Sequence, residues 1–288
     1  MPCPDPGLQI PGLFLPLHRC RTRQLSINSP LLYDDFPFGH TTLVIRAAAD
    51  CGTGIIMSNR IIMSAMFTKD NQTIHIIPTN LDLTALREAV LDEEGHIREL
   101  PASEWQRFSW DEVRLFMHEY PVYALPTTEL LDVLEDLTAD YRKVIEIGAG
   151  TGSIGRLLGI KMTDSYMQQD NKVAKMIYEL TRQPVIKYPP DVIKADALTA
   201  YRRFKPDCIL GCYVTHKYRE DIGTGNMFGV DFERLLHLVK RLILVGNKFT
   251  HAANPIMALD HTEIDLKGGL ITRSSERTLD RIFVWDNP

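Results

Sequence analysis

The chain has 288 residues, 44% of them apolar and 24% charged, with a formal net charge of -5. This is the composition of an ordinary globular protein, and it gives nucleic acid no global electrostatic signal, only the option of a local basic patch. No apolar run reaches the roughly 18 residues that span a bilayer, so no membrane partner is expected.

The N-terminus holds no continuous apolar core and is broken by Pro2, Pro4, Pro6, Pro11 and Pro16. Residues 1–30 therefore read as an extended arm, with a solvated basic cluster around Arg19, Arg21 and Arg23. The cysteines (Cys3, Cys20, Cys51, Cys208, Cys212) form no C-x-x-C pair and are odd in number, which fits reduced thiols and a cytoplasmic location. Residues 31–105 read as a small accessory α+β region. Thr42–Ile45, Ile61–Phe67 and Thr73–Ile77 are its strand candidates and Leu81–Val90 its helix. Met57, Met63 and Met66 are expected to fill its core.

Ser109-Trp110-Asp111-Glu112 is a capping box that opens a helix running to about Tyr120. Pro126-Thr127-Thr128 starts another, with Leu130, Leu131, Val133, Leu134 and Leu137 along one face. The central stretch follows. Val144-Ile145-Glu146-Ile147 is a buried strand ending beside a carboxylate, and Gly148, Gly150 and Gly152 follow at alternate positions. Glycine lets the backbone turn sharply there and leaves no side chain between it and a ligand. Ile154–Leu158 then begins a short helix.

Gly159–Asp164 is expected as a second strand, Asn171–Thr181 as a helix and Asp191–Leu198 as a third strand carrying Asp196. Asp207–Cys212 is a fourth strand, Asp231–Lys240 a helix and Arg241–Val245 a fifth strand. Gly269–Thr272 and Arg281–Trp285 are expected to form an antiparallel hairpin at the sheet's edge. Strand–helix alternation of this kind means a mostly parallel sheet with right-handed crossovers. The expected fold is therefore α/β and Rossmann-like over 106–288.

Gly150-Thr151-Gly152-Ser153-Ile154-Gly155 matches the dinucleotide pattern G-x-G-x-x-G, which by itself is weak. Glu146-Ile147-Gly148-Ala149-Gly150-Thr151-Gly152 more closely resembles the first motif of the class I S-adenosylmethionine-dependent methyltransferases, E/D-x-G-x-G-x-G, at every specified position. The resemblance continues with Asp164 after strand two, Asp196 after strand three and the terminal hairpin, covering about 140–288. From Glu112 onward, pieces such as Leu125–Leu130, Thr163-Asp164-Ser165 and Val214–Tyr218 also resemble a wider set of bacterial and phage methyltransferase-like proteins. The resemblance implies S-adenosylmethionine as cofactor. Asp164 is then expected to grip the ribose diol, Asp196 the adenine amine, and Glu146 to brace the loop and favour a cationic ligand. The structural alternative is that Glu146 only braces the turn while Asp164 and Asp196 cap the segments after them.

In open parallel sheets, substrates meet the cofactor beyond the C-terminal strand ends. Gly211–Tyr218 lies there. His216 is the expected general base, Tyr213 an aromatic wall and Lys217 a holder of an anionic acceptor. Asn247 and His251 are further candidate contacts, and Asp221–Asn226 a candidate mobile lid. Cys212 as a nucleophile and Cys208/Cys212/His216 as a metal site are weaker options, and no metal is expected. A non-catalytic cofactor-binding or regulatory module is the main alternative function, and an NAD-dependent oxidoreductase the third. The sequence leaves the acceptor class and the oligomeric state open.

Overall fold

The computed structural model describes residues 41–46, 60–67, 72–78 and 80–287, apart from Arg182, Ile222 and Ser275. The expected arm at 1–30 and the surroundings of Met57, Met63 and Met66 lie outside the described residues. The first three strands, β1 (Thr41–Arg46), β2 (Arg60–Phe67) and β3 (Gln72–Pro78), form an antiparallel meander.

Helices α1 (Thr84–Val90), α2 (Ala102–Trp105) and α3 (Trp110–Glu119) follow. The capping box closes in both directions. Ser109 Oγ accepts from Glu112 N–H at 3.3 Å, and Glu112 Oε2 accepts from Ser109 N–H at 2.8 Å. These bonds satisfy donors that a helix start leaves orphaned. Leu83, Leu86, Val90, Trp105, Phe116 and Met117 share one apolar cluster that also takes in Leu125 and Ile271.

Helix α4 (Thr128–Thr138) is capped by Thr127 Oγ1 and buries Leu130, Leu131 and Leu134 against the large sheet. Burying each leucine contributes about 1.5–3 kcal/mol. The sheet has seven strands in the order β6-β5-β4-β7-β8-β10-β9. These are β4 (Val144–Ile147), β5 (Lys161–Asp164), β6 (Val192–Lys194), β7 (Cys208–Cys212), β8 (Arg241–Asn247), β9 (Thr262–Ile264) and β10 (Asp280–Asp286). The pairs from β6 through β8 are parallel, and β10 runs antiparallel to both β8 and β9. Helices α5 (Ser153–Leu157), α6 (Asn171–Thr181), α7 (Ala197–Phe204) and α8 (Phe232–Leu236) connect the strands. Among the described residues, no helix is long and apolar enough to cross a membrane.

Three expectations need correction. The third strand stops at Lys194, because Asp196 accepts from Thr199 N–H and starts α7 at Ala197. The helix expected over Asp231–Lys240 ends at Leu236. Gly269–Thr272 is not the hairpin partner of the last strand. Its backbone is drawn to the loop before α4: Leu125 N–H donates to Ile271 O, and Arg273 N–H donates to Tyr123 O, both at 2.9 Å. Burial of Ile271 against α3 competes with sheet pairing and wins. Thr262–Ile264 takes the edge place instead, so β10 lies inside the sheet.

Candidate functional site

Strand order reverses at β4. From there the chain moves outward through β5 and β6, then returns to place β7 on the other side. Such a switch point opens a crevice at the C-terminal strand ends. The glycine loop sits there, with Gly148, Gly150 and Gly152 at φ 60°, 56° and 72°. Each is in the left-handed region where a side chain is strained.

Glu146 is buried beneath this loop, and its Oε2 accepts from Gly155 N–H at 2.9 Å. Burial pushes its carboxyl up to about 8, against the pull of the Gly155 bond, and the neighbouring Asp164 pushes the same way. Asp164, also buried, accepts from Gly150 N–H at 3.0 Å through Oδ2 and from Tyr166 N–H at 2.8 Å through Oδ1. Burial raises its pKa, and these two bonds and the Tyr188 hydroxyl oppose the rise. Tyr188 stacks on Tyr166 with ring centroids 4.0 Å apart. The segment carrying it also brings Ile186 to 3.7 Å from where a side chain at Gly150 would begin. Tyr188–Asp191 forms a turn: Val192 N–H donates to Pro189 O at 3.1 Å, and Asp191 pairs with Arg156 at 2.8 Å.

Asp196 follows Ala195, whose N–H donates to Asp164 O at 2.8 Å. It is exposed and caps α7, with Thr199 N–H at 3.0 Å and Thr199 Oγ1 at 2.6 Å. Glu146, the glycines and Asp164 thus meet at the loop, while Asp196 caps the helix after β6.

The segment after β7 covers the loop from the other side. A side chain at Gly148 would begin 2.7 Å from Val214 Cγ2, so only glycine fits under Val214. Tyr213 takes a left-handed φ of 54°, a sparsely populated conformation held by its surroundings. Its hydroxyl donates to Asp280 Oδ1 at 2.7 Å, and its ring stacks on Tyr123 at 5.8 Å and meets His251 edge-on at 5.8 Å. Asp280, the first residue of β10, also accepts from Asn247 Nδ2 at 2.7 Å, Ser274 Oγ at 2.9 Å and Thr272 Oγ1 at 2.5 Å. Together these residues make a buried, hydrogen-bonded knot at the C-terminal ends of β7 and β8. Asn247 and His251, the further candidate contacts, belong to it, with Asn247 N–H 3.1 Å from His251 Nδ1. Asp280, Ser274, Thr272 and Tyr123 were not among the expected residues. The available signal was an acid opening the last apolar run, shortly after a Thr-x-Ser triplet.

His216 is buried, and its Nε2 lies 3.4 Å from Thr224 Oγ1. Burial lowers its pKa below 6.5, so the imidazole is neutral at pH 7 and can accept a proton. Lys217 is exposed, and its N–H donates to Val230 O at 2.8 Å. The Asp221–Asn226 loop is pinned rather than free. Tyr218 N–H donates to Asn226 O and Asn226 N–H to His216 O, while Arg219 holds Asp221 and Glu233.

Burial raises the thiol pKa of both Cys208, to about 12, and Cys212, which is the opposite of what a thiolate nucleophile needs. Among the described residues, Asp92, Glu94 and His96 are the cluster with metal-ligand spacing, with Asp92 and His96 half-buried and Glu94 exposed.

The sheet order and glycine turn define a Rossmann-like α/β protein. No protein-family model and no curated protein matches the chain.

Proposed function

We propose that the chain is an S-adenosylmethionine-dependent methyltransferase, with the glycine loop and Asp164 as its cofactor site. One observation carries the proposal. A buried carboxyl, Glu146, is bonded to the N-terminal turn of α5 directly beneath the three left-handed glycines, at the point where strand order reverses. A cationic sulfonium above this carboxyl favours its ionised form and is favoured by it in return, whereas a pyrophosphate there would disfavour ionisation.

The residues fit such a cofactor. An ionised carboxylate offers about four acceptor positions, and Asp164 spends two on Gly150 and Tyr166 with Tyr188 facing a third. It keeps capacity for a ribose hydroxyl, more if the Gly150 bond is exchanged. The glycine backbone leaves the approach free of its own side chains. The cofactor supplies an electrophilic methyl on sulfur. The chain's part is alignment and removal of one acceptor proton. His216 is neutral at pH 7 and oriented by Thr224, so it is the base. Tyr213, fixed by Asp280, forms one wall of the acceptor side.

The strand order argues against a nicotinamide enzyme. The strand beside β8 is the antiparallel β10, where a dinucleotide sheet places its sixth parallel strand. One observation favours the non-catalytic alternative: Ile186 and Tyr188 already lie against Gly150 and Asp164.

Calorimetry with adenosylhomocysteine tests the cofactor site, and tritiated methyl transfer into a fractionated cell extract tests turnover. Binding with transfer that His216→Ala abolishes supports the enzyme. Binding without transfer into DNA, RNA, protein or metabolites leaves the regulatory module. No heat with either adenosylmethionine or adenosylhomocysteine removes both.

A further inference from the structure

Among the described arginines of 80–287, Arg98, Arg142, Arg202, Arg203 and Arg234 are exposed and outside salt-bridge distance of a carboxylate, and the others divide in two. Arg87, Arg107, Arg156, Arg219, Arg241 and Arg281 each lie within salt-bridge distance of a carboxylate. Arg114, Arg273 and Arg277 do not, and none of their side chains donates a hydrogen bond to another described residue.

Arg114 and Arg277 share one place, and Arg273 lies on the neighbouring loop four residues before Arg277. Arg114 follows Trp110 by four residues on α3, so the two share a helix face. The Arg277 guanidinium lies 3.8 Å over the Trp110 ring. Arg273 lies 4.1 Å over the Tyr123 ring, fixed there by its backbone bond to Tyr123 O. Arg114 is only 7% exposed, and Arg273 Nη1 is buried without a hydrogen-bond partner. Burial and the Arg277 charge both disfavour the Arg114 cation, and Asp111 alone offsets them.

A buried guanidinium without an acid in reach is costly, and a second one beside it adds repulsion. The arrangement is stable when an anion completes it. Arg114 and Arg277 face one Asp111 carboxylate that lies outside salt-bridge distance, and planar guanidinium forks suit phosphate oxygens. The place is also contiguous with the proposed acceptor side. Ser274, next to Arg273, bonds Asn247 at 3.1 Å and Asp280 at 2.9 Å within the Tyr213 knot, and Tyr123 stacks on Tyr213.

We infer that Arg114 and Arg277 beside Trp110, and Arg273 beside Tyr123, bind phosphate groups of the methyl acceptor. The acceptor is then a nucleotide or a nucleic-acid strand. Naming this ligand as the acceptor rests on the methyltransferase proposal; the phosphate site itself does not.

The test is fluorescence anisotropy with a labelled single-stranded oligonucleotide of about twelve nucleotides, competed by adenosine monophosphate and by inorganic phosphate. Arg273→Gln/Arg277→Gln is compared with wild type and with the exposed control Arg203→Gln. Arg277 is exposed and Arg273 half-buried, so the double variant is expected to fold, checked by circular dichroism. Its affinity is expected to fall at least about tenfold, with the salt slope reduced by roughly two, while Arg203→Gln is unchanged. Displacement by adenosine monophosphate alone marks a mononucleotide acceptor, and retention of the strand marks a polymer. Equal binding by wild type and double variant, or no binding of any phosphate probe, overturns the inference. Adenosylhomocysteine calorimetry on the same samples separates the two claims. Cofactor binding without phosphate binding sinks this one alone, and phosphate binding without cofactor binding sinks the methyltransferase alone.

Discussion

Glu146 and Gly155 are matched so closely that neither position tolerates a change of shape. The carboxyl oxygen that accepts the Gly155 N–H at 2.9 Å would lie 2.5 Å from any Cβ placed there, with Met162 Cγ at 2.6 Å. Gly155→Ala is therefore expected to cost roughly 2–3 kcal/mol, the range for overpacking a filled interior. The comparison is Gly159→Ala, where nothing lies within 4 Å and only the left-handed φ of 63° is strained. Urea midpoints give the answer, and a smaller loss at Gly155 than at Gly159 would refute the packing argument.

Glu146 also sets a pH dependence. Its carboxyl titrates at about 8 in the folded chain, against an ordinary value of 4.5. Below pH 4.5 both folded and unfolded forms hold the proton, and this group's stabilisation is complete. Between 4.5 and about 8 only the unfolded form releases it, so stability falls as pH rises through that window. Glu146→Gln removes this slope. The difference in stability between variant and wild type, measured by urea unfolding from pH 5 to 8.5, is expected to shift in favour of the variant.

The same proton reports on the ligand. A cationic cofactor placed above Glu146 favours the carboxylate and expels its proton. Binding of adenosylmethionine at pH 7 is expected to show a calorimetric enthalpy that changes with the ionisation enthalpy of the buffer. Adenosylhomocysteine, which lacks the sulfonium charge, is expected to show less of this dependence, and Glu146→Gln to show none with either. Equal proton release by the two ligands counts against a charge-sensing role.

His216 gives a kinetic signature. Its pKa is lowered by burial, so the base stays neutral at the acid side of the ordinary histidine range. The rate of methyl transfer is expected to hold steady on lowering pH to 6.5 and to fall only below it. His216→Ala is expected to lower kcat by about 10²–10⁴ while leaving adenosylhomocysteine affinity intact. A variant that retains most of its kcat excludes His216 as the base.

Asp280 accepts from Tyr213, Asn247, Ser274 and Thr272. Asp280→Asn puts a donor among donors and is expected to cost roughly 2–4 kcal/mol, and Tyr213→Phe about 1 kcal/mol. Because both act on one knot, the double variant is expected to lose less than the sum. Thermal unfolding of the four proteins checks this, and strict additivity would show that the two groups do not share it.

The parallel core is legible in the sequence because its strands are continuous apolar runs ending in punctuation. Val144–Ile147 stops at Gly148, and Asp207–Cys212 and Arg241–Val245 read the same way. The glycine turn is legible because only glycine takes three left-handed positions so close together. Hydrogen bonds between residues far apart in the chain are less so. Asp280 joins partners up to 67 residues away, and no local pattern announces that. Asp196 shows the reverse difficulty. An acid at a strand end and an acid at a helix start look alike when the strand is three residues long. Ile271 lies too far in sequence from α3 for its burial to be foreseen, which is why Gly269–Thr272 reads as a strand.

The insertion of β10 between β8 and β9 has a consequence for assembly on the ribosome. β9 is made first but has no neighbour until β10 arrives, and β8 keeps one bare edge until then. Asp280 opens β10, so the donors on Tyr213, Asn247, Ser274 and Thr272 gain their common acceptor in the same event that seals the sheet. A polypeptide halted before residue 280 would thus present an open strand edge beside unsatisfied polar groups. Incomplete translation products would be aggregation-prone and quickly cleared.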